Sequence, residues 1–378
     1  MRSMTELLVE AAERWGTPLY VTDLDAASAS GRAWSAALPG ALVAYAVKAN
    51  PDPALLGRLA ADGLGAEVMG PVELALALRA GFPPDRIVVN GVGQTDEDLR
   101  AALATGALVN SESVGGLGAL LEGGPGRIGL RLNPAIEAAT HTHLQTGLST
   151  SKFGIALDDL PASAAALRAN GRAPASIGAH IGSDVDDLEP FARLATLLAT
   201  LADKHEVASI DLGGGFAGEP GAYADAVLPH LPRTDRLIVE PGRGIVADAG
   251  WLVTRVVRVQ ARGHLVADAG MTELIRPMLY GARHPVRLIS PGDGVEQRRW
   301  TLAGPVCEAG DLLADELDLG DAAGEGALLA IEQAGAYGLA MASGYNGRLR
   351  PAQAVIEDGR LRLSRRRETL EDVVARDV

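Results

Sequence analysis

The stretch ALVAYAVKANPDPALLGRLAADGLGAEVM, residues 41–69, decides the fold. Ala41 to Val47 reads as a strand, Pro53 to Asp62 as the helix behind it, and Ala66 to Met69 as a second strand. A helix between two strands carries the chain back to the starting edge, so the strands run parallel. The same alternation continues outward. Val72 to Ala80 reads as a helix closed by Gly81, Ile87 to Asn90 as a strand, and Asp96 to Ala104 as a helix ended by Thr105-Gly106. Further strands are expected at Ala107 to Asn110, Arg127 to Asn133, Ser176 to Ile181, Ala208 to Leu212 and Leu237 to Glu240. Eight such strands separated by helices predict an α/β fold built on a (β/α)8 barrel over residues 25–248.

Beyond residue 248 the texture changes. Trp251 to Arg262 is rich in valine and alternates, and Leu265 to Ala269, Val286 to Ile289, Trp300 to Ala303, Ala327 to Glu332 and Gln353 to Glu357 follow as short runs broken by Gly and Pro. This predicts an antiparallel β domain over residues 249–378, joined by residues 1–24 through the extended run Thr17 to Thr22.

Composition narrows the function. A net charge of −14 argues against nucleic acid, which rewards basic surfaces. No apolar run reaches membrane-spanning length, and the N-terminus lacks the apolar core of a secretory signal, so a cytoplasmic protein is expected. The lone cysteine, Cys307, excludes an internal disulfide and agrees with a reducing compartment.

Lys48 sits in Tyr45-Ala46-Val47-Lys48-Ala49-Asn50, just behind the first strand. Apolar neighbours predict burial, a lowered lysine pKa and a neutral, nucleophilic amine able to form Schiff bases with aldehydes such as that of pyridoxal phosphate (PLP). The bland reading is a strand-end lysine reaching its charge to water. Leu212-Gly213-Gly214-Gly215-Phe216 follows a predicted strand and suits an anion held by backbone N–H groups; it also suits an ordinary tight turn. Glu240-Pro241-Gly242-Arg243 follows the next strand, where residues of a barrel face the active site. A buried Glu240 there suits keeping a proton on a pyridine nitrogen, and equally a structural Glu–Arg pair. His180, in Gly178-Ala179-His180-Ile181-Gly182-Ser183, suits stacking on a flat ring, with Ser183 donating to phosphate. The loop Ser151-Lys152-Phe153-Gly154 suits one wall of the site.

In the second domain, Cys307-Glu308 lies in a loop bounded by Gly304-Pro305 and Gly310. Cys307 suits a proton donor and Glu308 a partner for a substrate ammonium. Arg276 and Tyr280 form a guanidinium–phenol pair suited to a substrate carboxylate. Tyr337 stands between glycines in Ala334-Gly335-Ala336-Tyr337-Gly338 and suits a phosphate contact. Packing is the bland reading of each.

Taken in order, these motifs resemble the fold-type-III PLP-dependent decarboxylases, and within them the diaminopimelate decarboxylase branch, over nearly the whole chain. The resemblance implies an alanine-racemase-like barrel with a C-terminal β-sandwich or Greek-key domain. It implies covalent cofactor attachment at Lys48, ring stacking by His180, and phosphate binding by Ser183, Gly213, Gly214, Gly215, Gly242 and Arg243. It further implies a pyridine-nitrogen contact from Glu240, a cofactor contact from Tyr337 and substrate binding by Arg243, Arg276, Tyr280 and Glu308. Lys48, His180 and Cys307 are the implied catalytic residues, with Cys307 and Glu308 supplied by the second subunit of a homodimer. The implied reaction is α-decarboxylation of meso-2,6-diaminopimelate to L-lysine and CO2.

Three departures stand against the family pattern. Met69-Gly70-Pro71-Val72-Glu73 replaces a Ser-Gly-Gly-Glu run, Glu67 stands where Asp is usual, and Gly91-Val92-Gly93-Gln94-Thr95 lacks an expected Asn and Lys. They leave open a related decarboxylase acting on another amino acid, free or tethered to a carrier protein. An amino-acid racemase is disfavoured because racemases of this fold place arginine, not Glu240, at the pyridine nitrogen. A non-catalytic PLP-binding protein is disfavoured by the second domain and the Cys-Glu pair. No metal is expected.

Overall fold

In the computed structural model, which describes residues 2–137, 150–232, 237–294 and 299–378, the chain divides into two units. One is Ser28–Ile245; the other combines Met1–Ala27 with Val246–Val378.

The first unit is a closed ring of eight parallel strands: Leu42–Ala46, Gly65–Val68, Ile87–Val89, Leu108–Ser111, Arg127–Asn133, Ser176–Gly178, Ser209–Asp211 and Leu237–Val239. The last strand closes on the first through the register Ile238↔Leu42 and Val239↔Val43. Local chemistry explains the alternation. Asp52 caps the helix Pro53–Ala61, its carboxylate accepting from the N–H groups of Ala54 and Leu55 at 2.8 and 3.1 Å. Pro53 occupies the first turn, where no amide donor is needed. Gly81 ends the helix Pro71–Ala80 at φ +97°, a conformation open to glycine and costly for other residues. Arg127–Asn133 spans the predicted residues, whereas most of the other strands are shorter than the sequence predicts. Ser176–Gly178 stops three residues before Ile181, because the chain there turns into the loop carrying His180 and Ser183.

Ala44, Val88, Leu108 and Ile238 pack together inside the ring, and truncating Leu108 to alanine is expected to cost about 2–5 kcal/mol. Polar residues interrupt the strands at their C-terminal halves: Glu67, Asn110, Arg131 and Asp211 are all buried. In a parallel barrel this is the end that carries chemistry.

The second unit is built on a nine-stranded sheet with Leu19–Asp23 in its middle. That strand pairs antiparallel with Gly250–Gln260 (Leu19↔Val253) and parallel with Ala352–Glu357 (Leu19↔Ala352). His264–Ala267 and Trp300–Ala303 are also parallel, so the sheet is mixed, although most pairs are antiparallel as expected. The helix Met4–Trp15, opened by a Ser3/Glu6 capping box, buries Leu7, Leu8, Ala11 and Ala12 with Leu19, Val21 and Val253. Two strands, Leu312–Leu317 and Arg360–Arg365, escape a reading by hydrophobic alternation. Both lie at edges of the sheet, where charged side chains protect open backbone groups. Among the described residues no helix is long and apolar enough to cross a membrane.

Candidate active site

The ends of the barrel strands bring most of the predicted residues together. The first strand runs directly into a 3-10 turn, Val47–Ala49, which projects Lys48. Its Nζ lies 2.5 Å from Glu67 Oε2, and the lysine side chain is one-third exposed while the glutamate is buried. Lys48 is therefore ion-paired rather than surrounded by apolar groups. Its sequence neighbours, Val47 and Ala49, are buried in the barrel wall, and the adjacent strand supplies the carboxylate.

From Glu67 a polar chain crosses the barrel. Asn90 Nδ2 donates to Glu67 Oε1 at 3.2 Å and to Glu240 Oε1 at 2.7 Å, so one amide joins the ends of the second and eighth strands. Asn110 Nδ2 donates to Asn90 Oδ1 at 2.9 Å, and Ser176 Oγ to Asn110 Oδ1 at 2.8 Å. Each donor fixes the next acceptor, and a fully satisfied network of this kind is rigid.

Glu240 is buried. Burial, then the charges of Asp211 and Glu67, push its carboxyl well above the ordinary range, so the protein alone favours its protonated form. Asp211 hydrogen-bonds with it and is itself pushed up to about 6, chiefly by burial. Three buried carboxyl groups, Glu67, Asp211 and Glu240, thus act on one another, and protonation relieves part of the repulsion.

The glycine run follows Asp211. Gly213 and Gly215 adopt φ +64° and +101°. A Cβ at Gly214 would stand 2.2 Å from the Glu240 carbonyl oxygen, and one at Gly215 only 1.9 Å from that of Gly182. Glycine is required there by contact as well as conformation. The Gly213 N–H donates to Asp211 Oδ1 at 2.9 Å, and the Glu240 N–H to the Gly213 carbonyl at 2.7 Å.

His180 is half-buried against this run. The Gly214 N–H donates to its Nδ1 at 3.1 Å, which leaves the ring proton on Nε2. Burial, with the charges of Arg131 and Lys48, pushes the imidazole well below its ordinary pKa, so it is neutral and flat-faced. Ser183 lies in the loop leading to Val185, whose N–H donates to the Gly215 carbonyl at 3.0 Å. Arg243 Nε lies 3.3 Å from Asp184 Oδ1 in the same loop. Gly242 packs on the lysine turn: its Cβ would sit 3.0 Å from those of both Ala46 and Ala49. The predicted wall at Ser151 to Gly154 returns to the fifth strand, where the Phe153 ring lies 5.0 Å from the Arg131 guanidinium.

The remaining residues belong to the second unit. Arg276 is buried, with its guanidinium 5.6 Å from the Tyr280 ring on the short helix Arg276–Tyr280. The Cys307 loop lies beside that helix, since a Cβ on Gly310 would meet Met278 at 3.6 Å. Buried Asp311 anchors the loop by accepting from the N–H groups of Val306 and Met271 at 2.7 and 2.5 Å. Cys307 and Glu308 at its tip are exposed, and Tyr345 Oη donates to Glu308 Oε1 at 2.8 Å. Tyr337 is half-buried at φ +56°, next to Gly335, whose Cβ would be 1.9 Å from the Val246 carbonyl oxygen. Among the described residues no cluster of potential metal ligands forms.

Sequence reasoning missed Asn90, Asp211 and the buried pair Arg131–Glu112, joined at 2.8 Å. The readable signal was a single polar residue in an otherwise apolar strand, as in Leu130-Arg131-Leu132 and Ile210-Asp211-Leu212.

This is a barrel mouth with a lysine, a buried carboxyl of raised proton affinity and a glycine cradle. Residues 24–247 match the family described as "Pyridoxal-dependent decarboxylase, pyridoxal binding domain", and the chain belongs to that family of PLP-dependent carboxy-lyases. Its full-length relatives include diaminopimelate decarboxylases. That of Deinococcus radiodurans is 39% identical over 98% of both chains, and that of Pseudomonas aeruginosa 40% identical over 97% of this chain and 94% of its own. The crystal structure of diaminopimelate decarboxylase from Helicobacter pylori, complexed with L-lysine, superposes with a TM-score of 0.92 at 33% identity. It covers 97% of this chain and 98% of its own.

Proposed function

We infer that the chain catalyses the α-decarboxylation of meso-2,6-diaminopimelate to L-lysine and CO2. The observation that carries this is the full-length likeness to diaminopimelate decarboxylases at 39–40% identity, in a chain whose barrel mouth joins Lys48 to Glu240 through Glu67 and Asn90.

The residues present fit PLP. The cradle at Gly213, Gly214 and Gly215 excludes any Cβ and suits a phosphate, with Ser183, Gly242, Arg243 and Tyr337 as further contacts. Lys48 would hold the cofactor through Nζ, His180 would offer a neutral ring face, and Glu240 would present its proton to the pyridine nitrogen. When bound, PLP supplies the electron sink for the carbanion left by departing CO2. Arg243, Arg276 and Tyr280 would bind the substrate's distal carboxylate through charge-assisted hydrogen bonds, and Glu308 its distal ammonium. Cys307 Sγ would give the proton that replaces CO2.

We further propose a two-fold homodimer in which the Cys307–Glu308 loop completes the neighbour's site. The exposure of both residues on an anchored loop supports this reading. Mixing equal amounts of Lys48→Ala and Cys307→Ala subunits then restores about a quarter of wild-type activity, because half the dimers are mixed and each keeps one intact site. No recovery sinks the shared site. A cytoplasmic location accords with the free thiol.

Purified protein with PLP and meso-diaminopimelate should release lysine and CO2 in equal amounts; absence of both overturns the assignment. The departures at Met69 to Glu73 and Gly91 to Thr95 directly follow Glu67 and Asn90, and they motivate a panel of ornithine, lysine, arginine, glutamate and carrier-linked amino acids. Preference for one of these would favour the specialised-pathway alternative.

A further inference from the structure

Behind the glycine run lies a cavity of about 10 Å³, bounded by the run itself, Phe216 and the side chains of Trp34 and Tyr223. Both aromatic residues are only 2% exposed. They meet edge to face at 5.4 Å, and Tyr223 also packs on Phe191 and Phe216 at 5.2 and 5.5 Å. Trp34 Nε1 and Tyr223 Oη are buried polar atoms, and neither reaches a hydrogen-bonding partner among the described residues. Burial and the nearby Asp211 charge push the phenol upward, so it keeps its proton and remains a donor. Two buried polar groups on side chains that line one small cavity call for a partner that the described residues do not supply.

The glycine run cannot move to supply one. It is pinned by the bonds from the Glu240 N–H to the Gly213 carbonyl and from the Val185 N–H to the Gly215 carbonyl. Gly214 also presses on the Glu240 carbonyl too closely for any Cβ. A volume on the order of 10–15 Å³ with two to four polar partners is what one buried water requires. The indole only donates and the phenol both donates and accepts, so a water satisfies both and keeps a proton for a backbone carbonyl.

We propose that an ordered water occupies this cavity, bound to Trp34 Nε1 and Tyr223 Oη, and braces the glycine run from behind, making Tyr223 a positioning residue for cofactor phosphate. The loop role rests on the reading that the run holds phosphate; the water itself does not.

A high-resolution crystal structure of the wild-type apoprotein tests the water without cofactor. Density for one water within hydrogen-bonding distance of both atoms is expected, and a dry cavity overturns the proposal. Cofactor titration by absorbance then tests the loop role. Tyr223→Phe is expected to weaken PLP binding about three- to tenfold, the scale of losing one bridging water, while turnover at saturating PLP changes less than about twofold. Unchanged PLP affinity in Tyr223→Phe overturns the bracing role. Gly214→Ala separates the two readings: if it too leaves PLP affinity unchanged, the phosphate assignment has failed rather than the brace. Should Tyr223→Phe not fold, the wild-type density still decides the water.

Discussion

The barrel mouth and the Cys307 loop handle polar side chains in opposite ways. At the mouth, Glu67, Asn90, Asp211 and Glu240 are buried and locked to one another, and burial with mutual repulsion raises the proton affinities of Asp211 and Glu240. On the loop, Cys307 and Glu308 stand in solvent, on a turn anchored at Asp311, with Tyr345 touching Glu308. A low-dielectric, prearranged site is where a fixed charge does most for a reaction. Exposed groups acquire that strength only when a substrate or a second subunit covers them. Substitutions in the two regions should therefore differ in size and kind.

The largest loss is expected for Lys48→Ala. Turnover should fall at least about a thousandfold and borohydride should trap no cofactor on the protein, which peptide mass mapping would read. Retained adduct elsewhere would remove this lysine from the centre of the site. Glu240→Gln keeps an acceptor for Asn90 but cannot present the same proton. Its kcat should drop about 10²–10³-fold with PLP still bound, as steady-state assays would measure. A loss below tenfold would place the electron sink under other control.

Cys307→Ala is expected to lower kcat by about 10²-fold, the lower range for losing a proton donor, with unfolding temperature unchanged because the thiol is exposed. A drop in stability instead would make the loop structural. Asp211→Asn addresses the mouth through pH. Folding raises the Asp211 carboxyl from 3.8 to about 6, so the folded apoprotein keeps a proton that the unfolded chain releases first. Stability on this account is fullest below pH 4 and declines as pH rises toward 6, by on the order of 3 kcal/mol. Urea titrations of wild type and Asp211→Asn should diverge across that interval, the variant gaining as pH rises. Parallel curves would contradict the buried pair. The smallest effect is expected for Tyr345→Phe, where an exposed hydrogen bond to Glu308 is lost. KM should change less than about threefold, and a larger change would promote that contact to a substrate-positioning role.

Legibility in the sequence followed the same division. Strand–helix alternation with helix caps such as Asp52 made the barrel readable, because those signals are local. The order of YAVKAN, HIGS, GGG and EPGR, tied to the ends of successive strands, made the cofactor residues readable. The network linking them was not, since Asn90 meets Glu240 across 150 residues and nothing near Asn90 announces it. The ion pair of Lys48 with Glu67 was misjudged for that reason: flanking residues describe the wall, whereas the next strand supplies the partner. In the second unit, alternation found the interior strands and passed over Leu312–Leu317 and Arg360–Arg365, whose charges serve exposed edges.

Leu19–Asp23 is flanked in its sheet by Gly250–Gln260 and Ala352–Glu357, both far later in the chain. It must wait until the whole barrel has been synthesised before either neighbour exists, whereas barrel strands next to one another in sequence find partners a few dozen residues away. At translation speeds of about 5–20 residues per second the delay before Ala352–Glu357 emerges is tens of seconds. During that interval an apolar strand is uncovered on one side, so nascent chains are at their most vulnerable to chaperone dependence and self-association there, and a stop codon just ahead of residue 352 would leave that strand without its second neighbour permanently.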